Sequence, residues 1–308
     1  MKSKDAEITV GKHKVLLTNL QKVFYPKTGF TKGEVIDYYI QISEYILPHL
    51  KDRPITLKRY PDGVDGFYFY EKQCPAHHPN WLKTTSVKKS NGDSIHYCLM
   101  NDLPSLVWAS NLADLELHTF LHRRPYLNRP TVLAFDLDPG PPATILDCAH
   151  VALRLNTFFE GCGLQSFPKT SGSKGIQVYV PLNTPTTYEK TKAFAHEVAL
   201  ELEEEFPELI VSKMQKNLRT GKVLVDWSQN DAHKTTVSVY SLRAKDSPTV
   251  STPVTWNEVQ QALKKKNKNL LSFDSQDVLK RVKERGDLFE PVLRLKQKLP
   301  RIEVSVPA

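Results

Sequence analysis

The chain has 308 residues, 40% of them hydrophobic, enough to bury a full core as one large domain or two smaller ones. No apolar run approaches membrane length and the opening MKSKDAEITV lacks the apolar core of a secretion signal, so the expectation is a soluble, cytoplasmic protein with no membrane association. Lys and Arg number 42 against 34 Asp and Glu, a net charge of +8, which points to polyanionic partners without naming the polyanion. The cysteines, Cys74, Cys98, Cys148 and Cys162, are far apart with no C-x-x-C, so neither a disulfide framework nor a zinc ribbon is expected. Cys74-Pro-Ala-His77-His78 lacks the second ligand pair that a structural zinc needs.

The first basic cluster, TNLQK at 18–22, precedes a Tyr-Pro-Lys-Thr-Gly turn and then Thr31-Lys32-Gly33-Glu34. Thr31 and Glu34 have capping-box spacing, and Val35, Tyr39, Ile42 and Ile46 recur at helical intervals, so a helix is expected to start there. Free N–H groups at its start, the helix dipole, and Lys32 with Asn19 and Lys22 on the lead-in loop would suit a phosphate. An ordinary capped surface helix fits those residues equally. RPITLKRY at 53–60 reads as a strand ending in the bases Lys58 and Arg59, and Phe67, Tyr68, Phe69 and Tyr70 follow it. A strand buries one face only, so two of these rings should stay exposed or stack on something flat. VKKSNGDS at 87–94 reads as a hairpin turned at Asn-Gly, with Lys88 and Lys89 near its tip. Apolar residues over 103–117 are spaced for a helix, after which come His118 and the basic run His122-Arg123-Arg124.

TVLAFDLDP at 131–139 is an apolar run ending in two aspartates one residue apart. In a strand Asp136 and Asp138 emerge on one face and Leu133, Phe135 and Leu137 on the other. Pro139 and Gly140 then end the strand where a sheet opens to solvent. Paired carboxylates repel unless something positive neutralises them, and oxygen-only ligands favour a hard cation such as Mg²⁺ or Mn²⁺. An isolated D-x-D can equally be a helix cap beside an exposed acid. A Thr-capped helix over 144–159 comes next, then the Ser- and Gly-rich loop TSGSKG at 170–175, which lets backbone approach an anion but is not a Walker A loop. Phe194, Val198, Leu202 and Phe206 mark a further helix. Basic residues Lys213, Lys216, Arg219 and Lys222 lead into the strand VLVDW, whose Asp226 supplies a third carboxylate at a strand end. Three such acids among basic loops are how a two-metal phosphoryl-transfer site is made. A strand over 236–242 with Arg243 just beyond it, and a solvated helical tail bearing Lys264, Lys265, Lys266 and Lys268, complete the chain.

The ordered set FDLDPG, TSGSKGIQVYVPL, KVLVDWSQN and YSLRAKDSPTVSTPVTW resembles the polymerase domain of the bacterial end-joining DNA ligase D family, a branch of the archaeo-eukaryotic primase superfamily. The resemblance runs from about LTNLQKVFYP to the tail. It implies an α/β (α+β) primase-polymerase fold, in which an antiparallel sheet like that of an RNA-recognition motif carries the aspartates and packs against a second sheet with flanking helices. One domain is expected over 1–308, with an end-binding part at about 1–125 and a catalytic part at about 126–308, as a free-standing module. By the same resemblance Asp136, Asp138 and Asp226 match the catalytic, metal-binding carboxylates of a two-metal site for Mn²⁺ or Mg²⁺. His118, Ser171, Lys174 and Arg243 match residues that hold the incoming triphosphate, and Lys58 and Arg219, with Arg59, match basic residues near template and nucleotide. Asn19, Lys22 and Lys32 match a pocket for a DNA 5′-phosphate, Phe69 and Tyr70 an aromatic pair that stacks on the template, and Lys88 and Lys89 a loop that aligns broken ends.

The implied function is DNA-dependent DNA or RNA synthesis in non-homologous end joining: primer extension, gap filling and end extension. Expected partners are duplex DNA with gaps, breaks or 3′ overhangs carrying a 5′-phosphate, ribo- or deoxyribonucleoside triphosphates, Ku and a separate ligase, in a prokaryotic, nucleoid-associated setting. The sequence departs from the family at Gln177, where a phosphate-contacting histidine is usual. Glutamine donates a hydrogen bond but cannot become a cation, so weaker nucleotide binding with chemistry retained is expected. The alternatives are a non-catalytic DNA-end scaffold and a D-x-D phosphohydrolase, the latter leaving Asp226 and the 5′-phosphate cluster unexplained.

Overall fold

A computed structural model describes residues 5–89 and 92–300. The chain begins as a hairpin of β1 (Ala6–Val10) and β2 (His13–Leu17), and a smaller one of β3 (Val23–Tyr25) and β4 (Phe30–Thr31) delivers it into α1 (Lys32–Gln41) and α2 (Ser43–Leu50). The predicted capping box is present: Thr31 N donates to the Glu34 carboxylate at 2.7 Å and Glu34 N to Thr31 Oγ1 at 3.3 Å. Val35, Tyr39, Ile42 and Ile46 are fully buried, as their spacing predicts. Then come β5 (Pro54–Arg59), β6 (Phe69–Glu71), β7 (Thr84–Lys88), β8 (Ser94–Leu99), α3 (Leu103–Asn111) and β9 (Asp114–Thr119). The hairpin β10 (His122–Arg123) and β11 (Tyr126–Pro130) leads to β12 (Val132–Pro139), α4 (Ile145–Gly161), β13 (Phe167–Thr170) and β14 (Ile176–Pro181). The remainder is α5 (Tyr188–Glu205), β15 (Ile210–Val211), β16 (Val223–Asp226), β17 (Thr236–Val237), α6 (Trp256–Lys264), α7 (Ser275–Arg285) and α8 (Pro291–Arg294).

Two sheets organise this mixed α/β fold: five strands in the order β13-β14-β12-β16-β15, and six in the order β17-β9-β5-β8-β7 with β6 also paired to β5. The five-stranded sheet is antiparallel except at its edge, where β15 runs parallel to β16. Strand β12 shows how the sheets are joined. Leu133, Phe135 and Leu137 pack with buried residues of α4, α5 and α6, while Val132 and Ala134 share a core with Ile55, Leu57, Leu115 and Leu117 of the other sheet. The second row of β12 is therefore apolar where the sheets touch and acidic where they part, and the parting is the cleft.

Three expectations need correcting. The helix predicted over 103–117 ends at Asn111; Ala113 turns the chain at φ +64°, and DLELHT, whose alternation outweighs the helical spacing, forms β9. The strand predicted over 236–242 is only Thr236–Val237, because Tyr240 takes φ +63° and redirects the backbone. Cys74 and Cys98 form a disulfide, 5.2 Å between Cα atoms, since pairing of Cys74 N with His96 O brings the loop after β6 onto β8. Contact across strands, invisible in the spacing, pairs them, and it removes Cys74 from any metal reading. The β7–β8 hairpin forms with Lys88 opposite Ser94, although Asn91 of its expected turn lies outside the described residues. Among the described residues no helix is long and apolar enough to cross a membrane.

Candidate active site

Residues directly opposite one another in antiparallel strands point to the same face. Lys169 opposes Gln177, Gln177 opposes Asp136, and Asp136 opposes Asp226, so one row crosses β13, β14, β12 and β16 on the cleft side. Asp138 lies one step further along the same face of β12. The structure thus sets the three predicted carboxylates on one face of the sheet. Asp136 Oδ1 is buried and has no hydrogen-bond partner among the described residues. Burial, then the charges of Asp138 and Asp226, push the Asp136 carboxyl up to about 7, against the pull of Gln177 and Lys169. Asp138 is exposed; desolvation first and Asp226 next raise it too, opposed by Arg219, Arg243 and Lys174.

Among the described residues no group of three His, Cys, Asp or Glu side chains is gathered closely enough to hold a metal ion. The reason is visible at Asp226, whose Oδ1 accepts from Ser228 N at 2.9 Å and Ser228 Oγ at 2.5 Å, and whose Oδ2 accepts from Gln229 Nε2 at 2.7 Å. Its carboxylate caps the turn after β16 and leaves Asp136 and Asp138 facing the cleft. An orphaned buried oxygen beside two further carboxylates nevertheless fits a hard divalent cation, which relieves both the desolvation and the repulsion.

The opposite wall is basic. His118 on β9, Lys58 on β5 and Arg243 all converge on Glu116 Oε2, at 3.0, 3.3 and 3.4 Å, while Glu116 Oε1 accepts from Ala244 N at 3.1 Å and Tyr60 Oη at 3.4 Å. Burial alone would raise the Glu116 carboxyl, but the His118 hydrogen bond and the charges of Arg243, His118 and Lys58 hold it far below the usual carboxylate range. Burial pushes the His118 imidazole down, with Arg243 and Lys58 acting in the same direction and Glu116 against them. The sequence reading missed Glu116; its place two residues before His118 in an alternating strand was the available signal.

Arg243 also donates to the carbonyl of Ser171, tying this wall to the 171–175 turn. That turn is not the open nest its composition suggests. Ser171 Oγ accepts from Ser173 N at 3.2 Å and Gly175 N at 3.1 Å, and Ser171 N donates to Gly175 O at 2.9 Å, so backbone donors are consumed internally. Its glycines answer to packing: a Cβ at Gly175 would lie 2.0 Å from Leu137 O, and one at Gly172, where φ is +66°, would lie 2.6 Å from the Val250 backbone. What the turn offers the cleft is Lys174, exposed and without an ion-pair or hydrogen-bond partner for its ammonium among the described residues. The cleft, ≈ 230 Å³, is lined by His118, Asp136, Asp138, Ser171, Lys174, Gln177, Gln229 and Arg243, and by Lys245, which sequence reading also missed. Arg219 approaches from the other end, its carbonyl packed so tightly on Gly140 that a Cβ there would lie 1.9 Å away.

The fully buried Lys169 donates to Ser251 Oγ at 2.5 Å and Val237 O at 3.1 Å, and burial lowers its pKa to about 7. No sequence signal separates such a lysine from a surface one.

Strand alternation splits the predicted aromatic pair. Tyr70 sits edge-on to His118 at 5.8 Å, and Tyr60, Tyr68 and Tyr70 surround Lys58 Nζ at 5.3, 4.8 and 5.3 Å. Phe69 instead stacks on Phe67 and lies under Arg59. Phe67, Tyr68 and Tyr70 are all exposed, one more ring than expected.

The corner before α1 does gather Asn19, Lys22 and Lys32: Lys22 N donates to Asn19 O at 2.9 Å and Lys32 N to Lys22 O at 2.8 Å. The free helix-start donors expected there are not free. Gly33 N donates to Leu20 O at 2.8 Å and Glu34 N to the Thr31 cap, because the lead-in loop folds back over the helix. Lys22 pairs with Asp62 at 2.8 Å, and the buried Lys32 ammonium donates to Thr18 O at 2.7 Å. Desolvation, assisted by Lys22 and Arg59, lowers the Lys32 pKa to about 8. Lys88 and Lys89 stand exposed on the β7–β8 hairpin, Lys89 4.0 Å from Asp93.

Comparison with known proteins gives concordant results. The family model described as the LigD primase-polymerase domain matches residues 31–289. The multifunctional non-homologous end joining protein LigD of Mycolicibacterium smegmatis is 41% identical over 281 residues, 91% of this chain and 36% of that protein. The bifunctional LigD of Bacillus subtilis is 32% identical over 292 residues, 93% of this chain and 45% of that protein. The polymerase domain from Mycobacterium tuberculosis Ligase D, solved in complex with DNA, aligns with a TM-score of 0.85 at 39% identity, covering 91% of this chain and 98% of that one. The chain thus spans less than half the length of these curated relatives.

Proposed function

This chain belongs to the LigD primase-polymerase domain family, and from that premise we propose that it extends DNA primers at gaps and breaks during non-homologous end joining. The observation that carries the reading is one cleft with the carboxylates Asp136 and Asp138 on one wall and His118, Lys174, Arg243 and Lys245 around them. That is the charge arrangement a nucleoside triphosphate and its metal ions require.

The reaction is attack of a primer 3′-hydroxyl on the α-phosphate of a nucleoside triphosphate, with pyrophosphate leaving. Asp136 and Asp138, with Asp226 on the same face of the sheet, would hold the divalent cations, Mn²⁺ or Mg²⁺. Bound there, a metal pair supplies charge neutralisation at both the attacking and the leaving oxygen. Arg243, Lys174 and His118 bind the triphosphate, with Ser171 shaping the turn that carries Lys174. Lys245 adds a further cation. Lys58 and Arg219 sit where template and nucleotide meet, and Tyr70 offers the flat surface on which a template base stacks. Phe69, facing away, steadies Arg59 instead. Asn19, Lys22 and Lys32 take the 5′-phosphate at the far side of a gap, and Lys88 and Lys89 approach the DNA from the β7–β8 hairpin. Duplex ends with 3′ overhangs, Ku and a DNA ligase activity are the partners this role requires.

The test is extension on a gapped duplex with and without a 5′-phosphate, with Mn²⁺ or Mg²⁺ and each nucleotide type, wild type beside Asp136→Ala. Metal-dependent extension lost in the variant supports the polymerase. Tight duplex binding with no incorporation under any condition replaces it with a non-catalytic end-binding scaffold, and release of phosphate from a small phosphoester would favour a hydrolase.

A further inference from the structure

We infer that Glu116 is a positioning residue for the incoming nucleotide, aligning Lys58, His118 and Arg243 toward the cleft before any triphosphate arrives. The inference rests on the polymerase reading and adds a residue that touches neither metal nor substrate.

The geometry is unusual for a carboxylate in a site built to attract anions. Glu116 is buried, and its Oε2 lies 3.0 Å from His118 Nε2, 3.3 Å from Lys58 Nζ and 3.4 Å from Arg243 Nε. Three cationic or ionisable groups, from β9, β5 and the segment after β17, therefore share one oxygen. Without it Lys58 and Arg243 repel each other at close range in a poorly solvated place, and His118 loses its hydrogen-bond partner, so each would swing away toward water. The other oxygen is fixed independently by Ala244 N and Tyr60 Oη, so the anchor itself cannot rotate. Arg243 is held at both ends, by Glu116 and by the Ser171 carbonyl, which sets its guanidinium between the basic wall and the turn bearing Lys174. Lys58 is confined further by the rings of Tyr60, Tyr68 and Tyr70. Holding long cationic side chains in their binding geometry removes an ordering cost that the nucleotide would otherwise meet.

The sign of the effect separates this role from simple charge balance. Counting charges, removal of an anion from beside a triphosphate site strengthens nucleotide binding. Positioning predicts the reverse. In Glu116→Gln the negative charge is lost and one of the two oxygens becomes an NH2 donor, so either the cluster or the Ala244 N and Tyr60 Oη pair that fixes the anchor loses its acceptor while the side-chain volume stays the same.

The experiment is steady-state primer extension on a gapped, 5′-phosphorylated duplex, with nucleotide KM and kcat measured for wild type, Glu116→Gln, Glu116→Asp, Arg243→Lys and the double variant Glu116→Gln/Arg243→Lys. Loss of an anchor made of hydrogen bonds from Lys58 and His118 and an ion pair with Arg243 is expected to raise nucleotide KM about tenfold in Glu116→Gln, with kcat within about twofold and duplex affinity unchanged. Glu116→Asp, which keeps the charge, is expected to recover part of the loss. The double variant should fall short of the sum of the two single effects, because part of the effect of Glu116 passes through that arginine and the rest through Lys58 and His118. A nucleotide KM that stays level or falls in Glu116→Gln overturns the inference, as do additive effects in the double variant. If Glu116→Gln unfolds, Glu116→Asp with Arg243→Lys decides the coupling. If the wild type extends nothing, the polymerase reading fails separately, and calorimetric titration with ATP and MnCl2 still decides whether Glu116 sets nucleotide affinity.

Discussion

On the cleft wall Lys58, His118 and Arg243 converge on one buried carboxylate, whereas at the corner before α1 Lys22 and Lys32 are tied to separate neighbours, Asp62 and Thr18. A shared anchor cannot be given up one partner at a time, so the cleft presents its cations already aimed. The corner is assembled from contacts a phosphate can replace singly: an ion pair between exposed Lys22 and Asp62, which contributes little, and a lysine whose burial already disfavours its charge. A site that must orient a triphosphate for reaction gains from preorganisation. One that only has to recognise an end can form its contacts on arrival.

If the acidic wall is equally fixed in purpose, its loss should have the largest effect of all. Asp136→Ala is expected to lower extension by about a thousandfold or more, in line with removal of a group that stabilises charge in the transition state. Gapped-duplex affinity should be unchanged, and metal-free thermal stability should not fall, since Asp136 carries an unpartnered buried oxygen repelled by Asp138 and Asp226. Extension within tenfold of wild type would remove Asp136 from the chemistry.

Next in size is the corner. Lys32→Met should reduce the preference for 5′-phosphorylated over 5′-hydroxyl gaps by about thirtyfold, the worth of a charge-assisted contact of about 2 kcal/mol, with nucleotide KM unaltered. Competition binding with the two duplexes measures it, and an undiminished preference would show that the phosphate sits elsewhere. The same preference should depend on pH. The folded Lys32 releases its proton near pH 8, below the ordinary lysine range, so the preference holds at pH 7 and declines toward pH 9. In that window the unfolded chain still binds the proton, so the burial of Lys32 becomes less costly to stability as pH rises.

Smaller again is the difference between two adjacent rings. Tyr70→Ala should raise the KM for templated nucleotide about tenfold, within the 1–3 kcal/mol of a base–aromatic stack, because Tyr70 faces His118. Phe69→Ala should have a lesser effect there and act through Arg59, which packs over its ring. Equal effects on nucleotide KM would mean that alternation along β6 does not separate their roles.

What the sequence made legible follows the reach of local pattern. The faces of β12 and the capping box of α1 are encoded within a few residues, and both appear as expected. The meeting of Asp226 with Asp136 was legible only as a shared motif type, since register across β12 and β16 lies in contacts 90 residues apart in the chain. Glu116 was hidden because DLELHT was absorbed into a helix by apolar spacing that ends at Asn111. The Cys74–Cys98 pair and buried Lys169 were out of reach for the same reason: each is decided by what the fold places opposite it, on another strand. The free backbone donors expected at the start of α1 and in the 171–175 turn are both already bonded, because glycines and hydroxyls that can cradle an anion also satisfy their own backbone, so the lysines at each place remain as the groups facing an anion.

Gln177 carries the comparison into the acidic wall itself. It is buried between Lys169 and Asp136 in the row across the sheet, with Tyr179 Oη 3.5 Å from its Oε1. A neutral amide there separates the buried Lys169 from the half-buried Asp136 without adding charge to either, whereas a histidine there would add a donor that can be cationic. Gln177→His is therefore expected to lower nucleotide KM about fivefold, roughly 1 kcal/mol for converting a neutral contact to a charge-assisted one. Lys169 opposes protonation of the new imidazole and Asp136 favours it, so the gain should be greatest at low pH and vanish as pH rises past the imidazole's own titration. Nucleotide KM measured from pH 6 to 8.5 reads this directly. No tightening at any pH would mean that the position faces the aspartates rather than the phosphates, and that the basic wall organised by Glu116 alone sets nucleotide affinity.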